Sequence, residues 1–171
     1  AAGLESRDKA KTFIYAFIYG AGSKKIGSII GGSERDGERA KEKFLRATPS
    51  LRSLREKVER VAQRRWVRGL DQRKIIIRHP HAALNTLLQG AGAIVMKYAL
   101  TLLEQYVINK QIKAFPVVNV HDEFQYEVEE SRAEEFGRLA VQSIIDAGKQ
   151  LNVRCPLNGE YKIGNNWSET H

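Results

Sequence analysis

The sequence predicts an α+β fold built from several helices and small antiparallel sheets. Apolar residues recur at spacings of three and four in several segments, which is the pattern of amphipathic helices. Two pairs of short stretches that read as strands each enclose a turn, which is the pattern of hairpins. One long helical segment stands between the two pairs. With 171 residues, of which 42% are hydrophobic, the chain is long enough for one ordinary domain or two small lobes with a real core.

The first predicted helix covers residues 7–20, because apolar residues that include Phe13 and Phe17 recur at helical spacing. Gly20 and Gly22 are expected to end it. Four further helices are expected before the second hairpin and one after it. We expect Ser50 and Ser131 to cap two of these helices. The predicted ranges are 24–30, 36–46, 50–64, 82–109 and 131–151.

The first predicted hairpin covers residues 66–77, with its turn at Gly69 to Gln72. The second hairpin pairs residues 117–120 with residues 124–128, and His121 and Asp122 lie near its turn. A last strand is expected at residues 157–163. These strands give the small antiparallel sheets of the predicted fold.

The formal net charge of +8 is concentrated in one segment. Residues 52–78 hold ten basic and three acidic side chains, a density that favours a polyanion such as nucleic acid. A solvated helix face is the alternative. The single cysteine, Cys155, excludes an intrachain disulfide and fits a reducing cytoplasm. The apolar run at residues 91–96 stops at Lys97 and is too short to span a membrane.

Four side chains spaced by four residues follow one face of the first predicted helix: Arg7, Lys11, Tyr15 and Tyr19. A guanidinium and an ammonium can bind phosphates, and a phenol ring can stack near a base or a sugar. The pattern therefore suits a nucleotide. An ordinary amphipathic helix with surface cations is the alternative, and the spacing alone does not exclude it.

Two adjacent carboxylates, Asp122 and Glu123, follow His121 at the turn of the second hairpin. Carboxylate oxygens are the ligands that divalent cations need in metal-assisted phosphoryl transfer. Adjacent strand residues point to opposite faces, so we expect one carboxylate to face the metal and the other to have a second role. A polar turn is the alternative. Asn85 and Gln89, four residues apart, could donate to base edges in a minor groove or form a polar helix surface.

Taken together, these segments resemble family A (Pol I-type) DNA polymerases, in particular those that replicate short-tailed bacteriophages. The resemblance covers nearly the whole chain, and the segments occur in the family's order. Gln72 departs from it, because glycine is expected in that turn. The matching segments are the run Arg7, Lys11, Tyr15, Tyr19 and Gly20, the stretches 69–74 and 79–89, and the hairpin residues His121, Asp122 and Glu123.

The resemblance implies that residues 1–64 form part of a helical fingers subdomain and that residues 65–171 form the C-terminal part of the palm. In the fingers, Arg7 and Lys11 would bind the incoming triphosphate, and Lys11 would donate a proton to the leaving pyrophosphate. Tyr15 would lie by the sugar and base of the nucleotide. Tyr19 would stack near the templating base.

In the palm, the resemblance implies that Asp122 ligates two catalytic Mg²⁺ ions and that Glu123 supports the primer end. Primer–template DNA and a dNTP are the implied partners. The residues implied to contact the primer–template duplex are Asn85, Gln89, His121 and Arg73.

The resemblance also implies that part of the enzyme lies outside this sequence. The family has a second metal-binding aspartate on an earlier palm strand, and none of the six residues before Arg7 is an aspartate. A thumb and a possible exonuclease domain are expected elsewhere too. We therefore expect a fragment that is inactive alone and that acts in the cytoplasm of a host cell, with no membrane partner. The alternatives are a catalytically dead DNA-binding module and, more remotely, a metal-dependent nuclease using Asp122 and Glu123.

Overall fold

The computed structural model describes residues 6–170, which form two compact units that divide between Gln89 and Gly90, inside the longest helix. Helices and two-stranded antiparallel sheets make up both units, which confirms the predicted α+β class. The helices are α1 (Arg7–Ile18), α2 (Ser23–Ile30), α3 (Glu34–Ala47), α4 (Pro49–Ala62), α5 (Ala83–Lys110), α6 (Ala133–Gln150) and α7 (Trp167–Thr170). The strands are β1 (Trp66–Arg68), β2 (Lys74–Ile76), β3 (Ala114–Val120) and β4 (Glu123–Val128).

Helix α1 begins at a side-chain cap and packs through two phenylalanines. The Ser6 hydroxyl accepts a hydrogen bond from the Lys9 backbone at 3.2 Å. Phe13 and Phe17 are buried, and each ring meets Phe44 of α3 edge to face, at centroid distances of 5.4 and 5.1 Å. This aromatic cluster fixes which face of α1 remains open to solvent.

Helices α2 and α3 form a hairpin in which two glycines allow the backbones to approach. A Cβ on Gly27 would lie 2.1 Å from the Ser33 carbonyl oxygen, and one on Gly37 would lie 2.1 Å from that of Ser23. A capping box starts α3, since Ser33 and Asp36 exchange backbone and side-chain hydrogen bonds. The hydrogen bonds from Ser33 lower the pKa of the Asp36 carboxyl.

The β1–β2 hairpin forms as the sequence predicts, and it packs on α4. Val67 and Ile77 join Val58 in a buried cluster. Gln72, at the position where glycine is expected, has a φ of 68° and so adopts the left-handed conformation that glycine favours. Its backbone N–H donates to the Gly69 carbonyl at 3.0 Å, so the turn geometry is kept despite the larger residue.

In the second unit, the β3–β4 sheet packs against α5 and α6. Leu103 and Val107 of α5 meet Phe136 and Ala140 of α6, with Tyr126 of β4 against them. The Asp146 carboxylate of α6 accepts hydrogen bonds from side chains on both helices. The donors are Tyr106 at 3.0 Å, Gln142 at 2.9 Å and Lys149 at 2.8 Å. These bonds, with that from Lys149 the largest, lower the pKa of Asp146.

The strand expected at residues 157–163 is wrong: this segment forms no ladder with the strands of the described chain. It lies instead along α6. Leu157 packs on Gly148 and the Tyr161 ring on Gly137, where an added Cβ would meet it at 2.3 Å. The Tyr161 hydroxyl donates to Glu134 at 2.7 Å. The side chains of residues 157–163 therefore pack on the surface of a helix. An alternating sequence pattern does not distinguish this packing from that of a strand in a sheet.

Two predicted helix caps are also wrong. Helix α4 begins at Pro49, one residue before Ser50, because proline is favoured in the first turn. Ser131 lies inside a short 3-10 turn that precedes α6, and its hydroxyl donates to Glu129 at 3.1 Å. Both serines therefore lie beside the starting point of a helix rather than at it.

The helical stretch Pro80–Lys110, of 31 residues, is long and apolar enough to cross a membrane by length and composition. The continuous helix is longer than the uninterrupted apolar run that the sequence presents. This is weak evidence for a membrane span, because the core helix of a globular protein passes the same test. Ala99 and Leu103 of this helix are fully buried within the second unit, although only 22% of its most apolar window is buried.

Candidate functional site

Helix α1 has the two faces that its sequence predicts. Phe13 and Phe17 are buried, whereas Tyr15 and Tyr19 are 54% and 55% exposed. Arg7 and Lys11 are exposed as well. The buried phenylalanines therefore fix the helix so that two cations and two phenol rings follow one another along its open face.

The open face ends at a contact between two of the predicted site residues. The Gln89 side-chain amide donates to the Tyr19 hydroxyl at 3.4 Å, near the outer limit for a hydrogen bond. Asn85 lies one helical turn before Gln89 on α5. Its side-chain oxygen is buried and has no hydrogen-bond partner. Polar amides of α5 and the end of α1 thus occupy one region of the first unit.

The turn after α1 is held by two groups that sequence reasoning missed. Gly20 has a φ of 79°, and a Cβ there would lie 2.5 Å from the His81 carbonyl oxygen. The Lys41 ammonium donates to the Ala21 carbonyl at 3.3 Å. Burial lowers the pKa of Lys41, and nearby Arg55 adds to this effect. A close backbone approach and a lysine twenty residues away leave no periodic signal, so sequence patterns could not find them.

Arg73 lies on the turn of the β1–β2 hairpin, with its side chain 64% exposed. Its guanidinium and backbone N–H both bond Asp71. Burial raises the pKa of Asp71, but these bonds outweigh it and leave the pKa lowered. On the strands beside the turn, the Lys74 ammonium and the Arg68 guanidinium lie 4.9 and 5.8 Å from the Trp66 ring centroid. This hairpin therefore presents cations around an aromatic ring.

The second unit carries the predicted carboxylates at the β3–β4 turn. Val120 pairs with Glu123, so His121 and Asp122 form a two-residue turn. His121 has a φ of 54°, in the left-handed region, which histidine, asparagine and aspartate adopt more often than other residues apart from glycine. Asp122 is exposed. The hairpin therefore holds the Asp122 carboxylate at the tip of its ladder, in the turn where the sequence predicts it.

Glu123 is the first residue of β4 and is half-buried. The Gln125 side-chain amide donates to its carboxylate at 2.5 Å. Sequence reasoning missed Gln125. The sequence contained a signal for this contact, because Glu123 and Gln125 are two residues apart and such residues share a face of a strand.

The donor set at this turn fits part of a magnesium site. Mg²⁺ is held in proteins by one or two carboxylates together with substrate phosphates and water, and Asp122 supplies such a carboxylate. Across residues 6–170, no three histidine, cysteine or acidic side chains form a group that could hold a metal. The turn therefore offers too few protein ligands to enclose an ion by itself.

An apolar groove of about 580 Å³ lies between α5 and the β3–β4 sheet. Leu100 and Thr101 of α5 and Val117 and Phe124 of the sheet are among its lining residues. Beside it, Phe115 and Val117 are 65% and 63% exposed. Of the strands in the described chain, β3 pairs only with β4, so its other edge has free backbone groups.

Comparison with known proteins agrees with these features. The sequence model of DNA polymerase family A matches residues 2–169. The DNA-directed DNA polymerase of Escherichia phage Phieco32 is 40% identical over 177 residues, which cover 99% of this chain and 29% of that protein. The DNA-directed DNA polymerase of Escherichia phage T7 is 40% identical over 197 residues, which cover 100% of this chain and 27% of that protein.

The fold is similar to a solved structure of the POL domain of Pol1 from M. smegmatis, described as a complex with DNA primer-template and dNTP. The TM-score is 0.75 at 20% sequence identity, and the match covers 82% of this chain and 27% of that one. The chain spans 27–29% of the length of the phage relatives. Because the family model matches nearly the whole sequence, the chain belongs to DNA polymerase family A.

Proposed function

We propose that this chain is part of an enzyme that performs template-directed DNA synthesis, transferring a nucleotide from a dNTP to a primer 3′-hydroxyl. The observation that carries the proposal is the open face of α1 in a chain of this family. Phe13 and Phe17 fix that face, so that Arg7, Lys11, Tyr15 and Tyr19 are all exposed on it. Cations followed by aromatic rings are the side chains that bind a triphosphate and then its sugar and base.

On this proposal, Arg7 and Lys11 bind the triphosphate of the incoming nucleotide, and Lys11 donates a proton to the leaving pyrophosphate. Tyr15 lies by the sugar and base. Tyr19 stacks near the templating base, and its hydroxyl contact with Gln89 restricts the ring. The groups that take these roles are exposed on α1 and on the residue that follows it.

The hairpin of the second unit supplies the carboxylates. Asp122 would hold magnesium, and Glu123 would support the primer end. Bound magnesium supplies charge stabilisation at the entering and leaving oxygens of an in-line displacement. Because Asp122 is a single ligand at the tip of its turn, a further aspartate would come from the rest of the polymerase. We therefore propose that the chain is inactive alone.

Primer–template DNA is the proposed partner besides the dNTP. The proposal is supported by the excess of basic side chains in residues 52–78 and by the exposed guanidinium of Arg73. Asn85 and Gln89 would contact the minor groove of the duplex, and His121 would contact it from the second unit. The remaining palm strand, the thumb and any exonuclease domain would be supplied by the rest of the polymerase. The phage relatives support a location in the cytoplasm of a host cell.

The test is primer extension by a complete polymerase that contains this segment. Asp122→Asn keeps the size of the side chain and removes its charge, so we expect the incorporation rate to fall by about a thousandfold or more. Glu127→Gln, on the same hairpin and exposed, is the matched control and should retain the rate of the unsubstituted enzyme. Equal rates for Asp122→Asn and the unsubstituted enzyme would contradict the proposal.

The same assay separates the alternatives. A DNA-binding module without catalysis would retain salt-dependent binding of primer–template and show no extension before any substitution. A nuclease would shorten the labelled strand in the presence of Mg²⁺ and no dNTP, and Asp122→Asn would stop that cleavage. Extension that needs all four dNTPs and follows the template supports the polymerase.

A further inference from the structure

Two side chains on β4 form a polar pair directly after the turn that carries Asp122. Glu123 and Gln125 are two residues apart on the strand and therefore lie on the same face. The Gln125 amide nitrogen lies 2.5 Å from a Glu123 carboxylate oxygen, and both residues are half-buried. Gln125 therefore contacts a proposed site residue without being one of the predicted site residues itself.

We propose that Gln125 is a positioning residue, which holds the Glu123 carboxylate in the orientation that supports the primer end. This inference rests on the proposed function of the hairpin. A glutamate has three rotatable side-chain bonds, and its ordering costs conformational free energy at the moment of reaction unless another group orders it beforehand. A hydrogen bond to an ionised carboxylate is short and strong, so the amide is well suited to do this.

The amide is also a neutral donor. An arginine or lysine at this position would orient the carboxylate but would offset its negative charge. The glutamine N–H orients Glu123 without itself adding a positive charge beside it. The hydrogen bond from Gln125 therefore fixes the orientation of the Glu123 carboxylate without neutralising its negative charge.

Gln125 itself is held by the packing of its strand. It pairs across the ladder with Val118, next to the irregularity between Pro116 and Val118. On the opposite face of β4, Phe124 and Tyr126 pack in the core of the unit, and the Tyr126 ring lies 4.9 Å from that of Phe136. Because the ladder and this packing both hold the backbone of β4, the position from which the Gln125 side chain extends is fixed.

The test uses the complete polymerase with Gln125→Met, which keeps the length of the side chain and removes the donor. We expect the single-turnover rate at saturating dNTP to fall about tenfold. The dNTP concentration for half-maximal rate should change less than about twofold, because the proposed triphosphate contacts are on α1. Gln150→Met, the same substitution at an exposed end of α6, is the control and should have no effect.

A double-mutant cycle decides whether Gln125 acts through Glu123. In a Glu123→Ala background, adding Gln125→Met should change the rate less than about twofold, since no carboxylate remains to be oriented. An equal loss in both backgrounds, or no loss in either, overturns the inference. If Gln125→Met does not fold, Gln125→Leu also removes the donor without adding a charge and should show the same dependence on Glu123.

The cycle also separates this inference from the proposed function. Extension that is lost in Glu123→Ala but unaffected by Gln125→Met removes the positioning role alone. A complete polymerase whose extension is unaffected by Glu123→Ala removes the proposed role of Glu123 and the inference with it.

Discussion

Two glycines after α1 differ in how tightly the surrounding structure holds them. Gly20 has a φ of 79°, and a Cβ there would lie 2.5 Å from the backbone oxygen of His81. Gly22 has a φ of −67°, and a Cβ there would meet nothing within 4 Å. The position next to α1 is therefore fixed by its surroundings, and the position two residues later is free.

We predict that Gly20→Ala lowers the free energy of unfolding by about 2 kcal/mol or more, through backbone strain and the clash with His81. Gly22→Ala should change it by less than about 0.5 kcal/mol. Urea unfolding of the chain followed by circular dichroism measures both. Equal effects of the two substitutions would show that the close approach to His81 is not maintained in solution.

Gly22→Ala also tests whether the turn is a hinge for α1. If α1 moves over a bound nucleotide about this turn, Gly22→Ala should slow single-turnover incorporation by the complete enzyme while its stability stays the same. An unchanged rate for this variant would exclude Gly22 as the hinge.

Asp146 gives a prediction about pH. Because its pKa is lowered in the folded chain, the ionised form stabilises the fold at pH values above the unfolded pKa of about 4. That contribution is lost as the pH falls through the folded pKa. Asp146→Asn should therefore lower the free energy of unfolding by about 1 kcal/mol at pH 7 and converge with the unsubstituted chain as the pH falls below about 4.

Urea unfolding at a series of pH values checks this prediction. Glu160→Gln, an exposed acid of the same unit, is the control and should run parallel to the unsubstituted chain. A constant difference between Asp146→Asn and the unsubstituted chain at every pH would mean that the carboxylate charge is not what Tyr106, Gln142 and Lys149 stabilise.

At the scale of elements, glycines inside helices have opposite expected effects depending on what they face. Gly37 of α3 lies against the backbone of α2, where a Cβ would come within 2.1 Å of the Ser23 carbonyl oxygen. Gly92 of α5 is exposed, and a Cβ there would meet nothing within 4 Å. Alanine has the higher helix propensity at both positions, so only the packing separates them.

We predict that Gly37→Ala destabilises the chain by about 2–4 kcal/mol because it forces α2 and α3 apart. Gly92→Ala should stabilise it by about 0.5–1 kcal/mol through helix propensity alone. Thermal and urea unfolding of the two variants gives the signs. Stabilisation by Gly37→Ala would show that the close approach of α2 and α3 is not maintained in solution.

The elements that the sequence predicts well are those whose signal is local. Periodicity is enough to identify α1, although the helix ends at Ile18, two residues before the predicted Gly20. Alternation and turn residues likewise identify both hairpins. The strand expected at residues 157–163 is wrong because alternation does not tell which surface, sheet or helix, an extended segment meets.

In the candidate site, too, local features could be predicted from the sequence and long-range contacts could not. The exposure of Arg7, Lys11, Tyr15 and Tyr19 could be predicted, because it depends on a single helix. The contact of Tyr19 with Gln89 joins residues 70 positions apart, and the bond from Lys41 to Ala21 joins residues 20 apart. Only packing brings such pairs together, so no local pattern predicts them.

For the molecule as a whole, the two units leave different kinds of surface open. The first unit exposes cations on α1 and along residues 52–78, which suits a polyanion. The second exposes Phe115, Val117 and Val120 on a strand whose outer edge is unpaired in the described chain. A surface of that kind is stable when another part of a polymerase covers it and prone to association when nothing does.

We therefore predict that the isolated 171-residue chain self-associates through β3 at concentrations of about 10–100 μM. Replacing Phe115 and Val117 together by threonine keeps strand propensity and reduces the apolar area, so it should raise the monomer fraction in sedimentation velocity. Ile163→Thr, at a residue that is 50% exposed outside the strands, is the matched control and should leave the distribution unchanged. A monomeric parent chain over this range, or an equal effect of the control, would mean that the β3 surface does not need to be covered. Association that disappears when the remaining part of the polymerase is added would identify that part as what covers it.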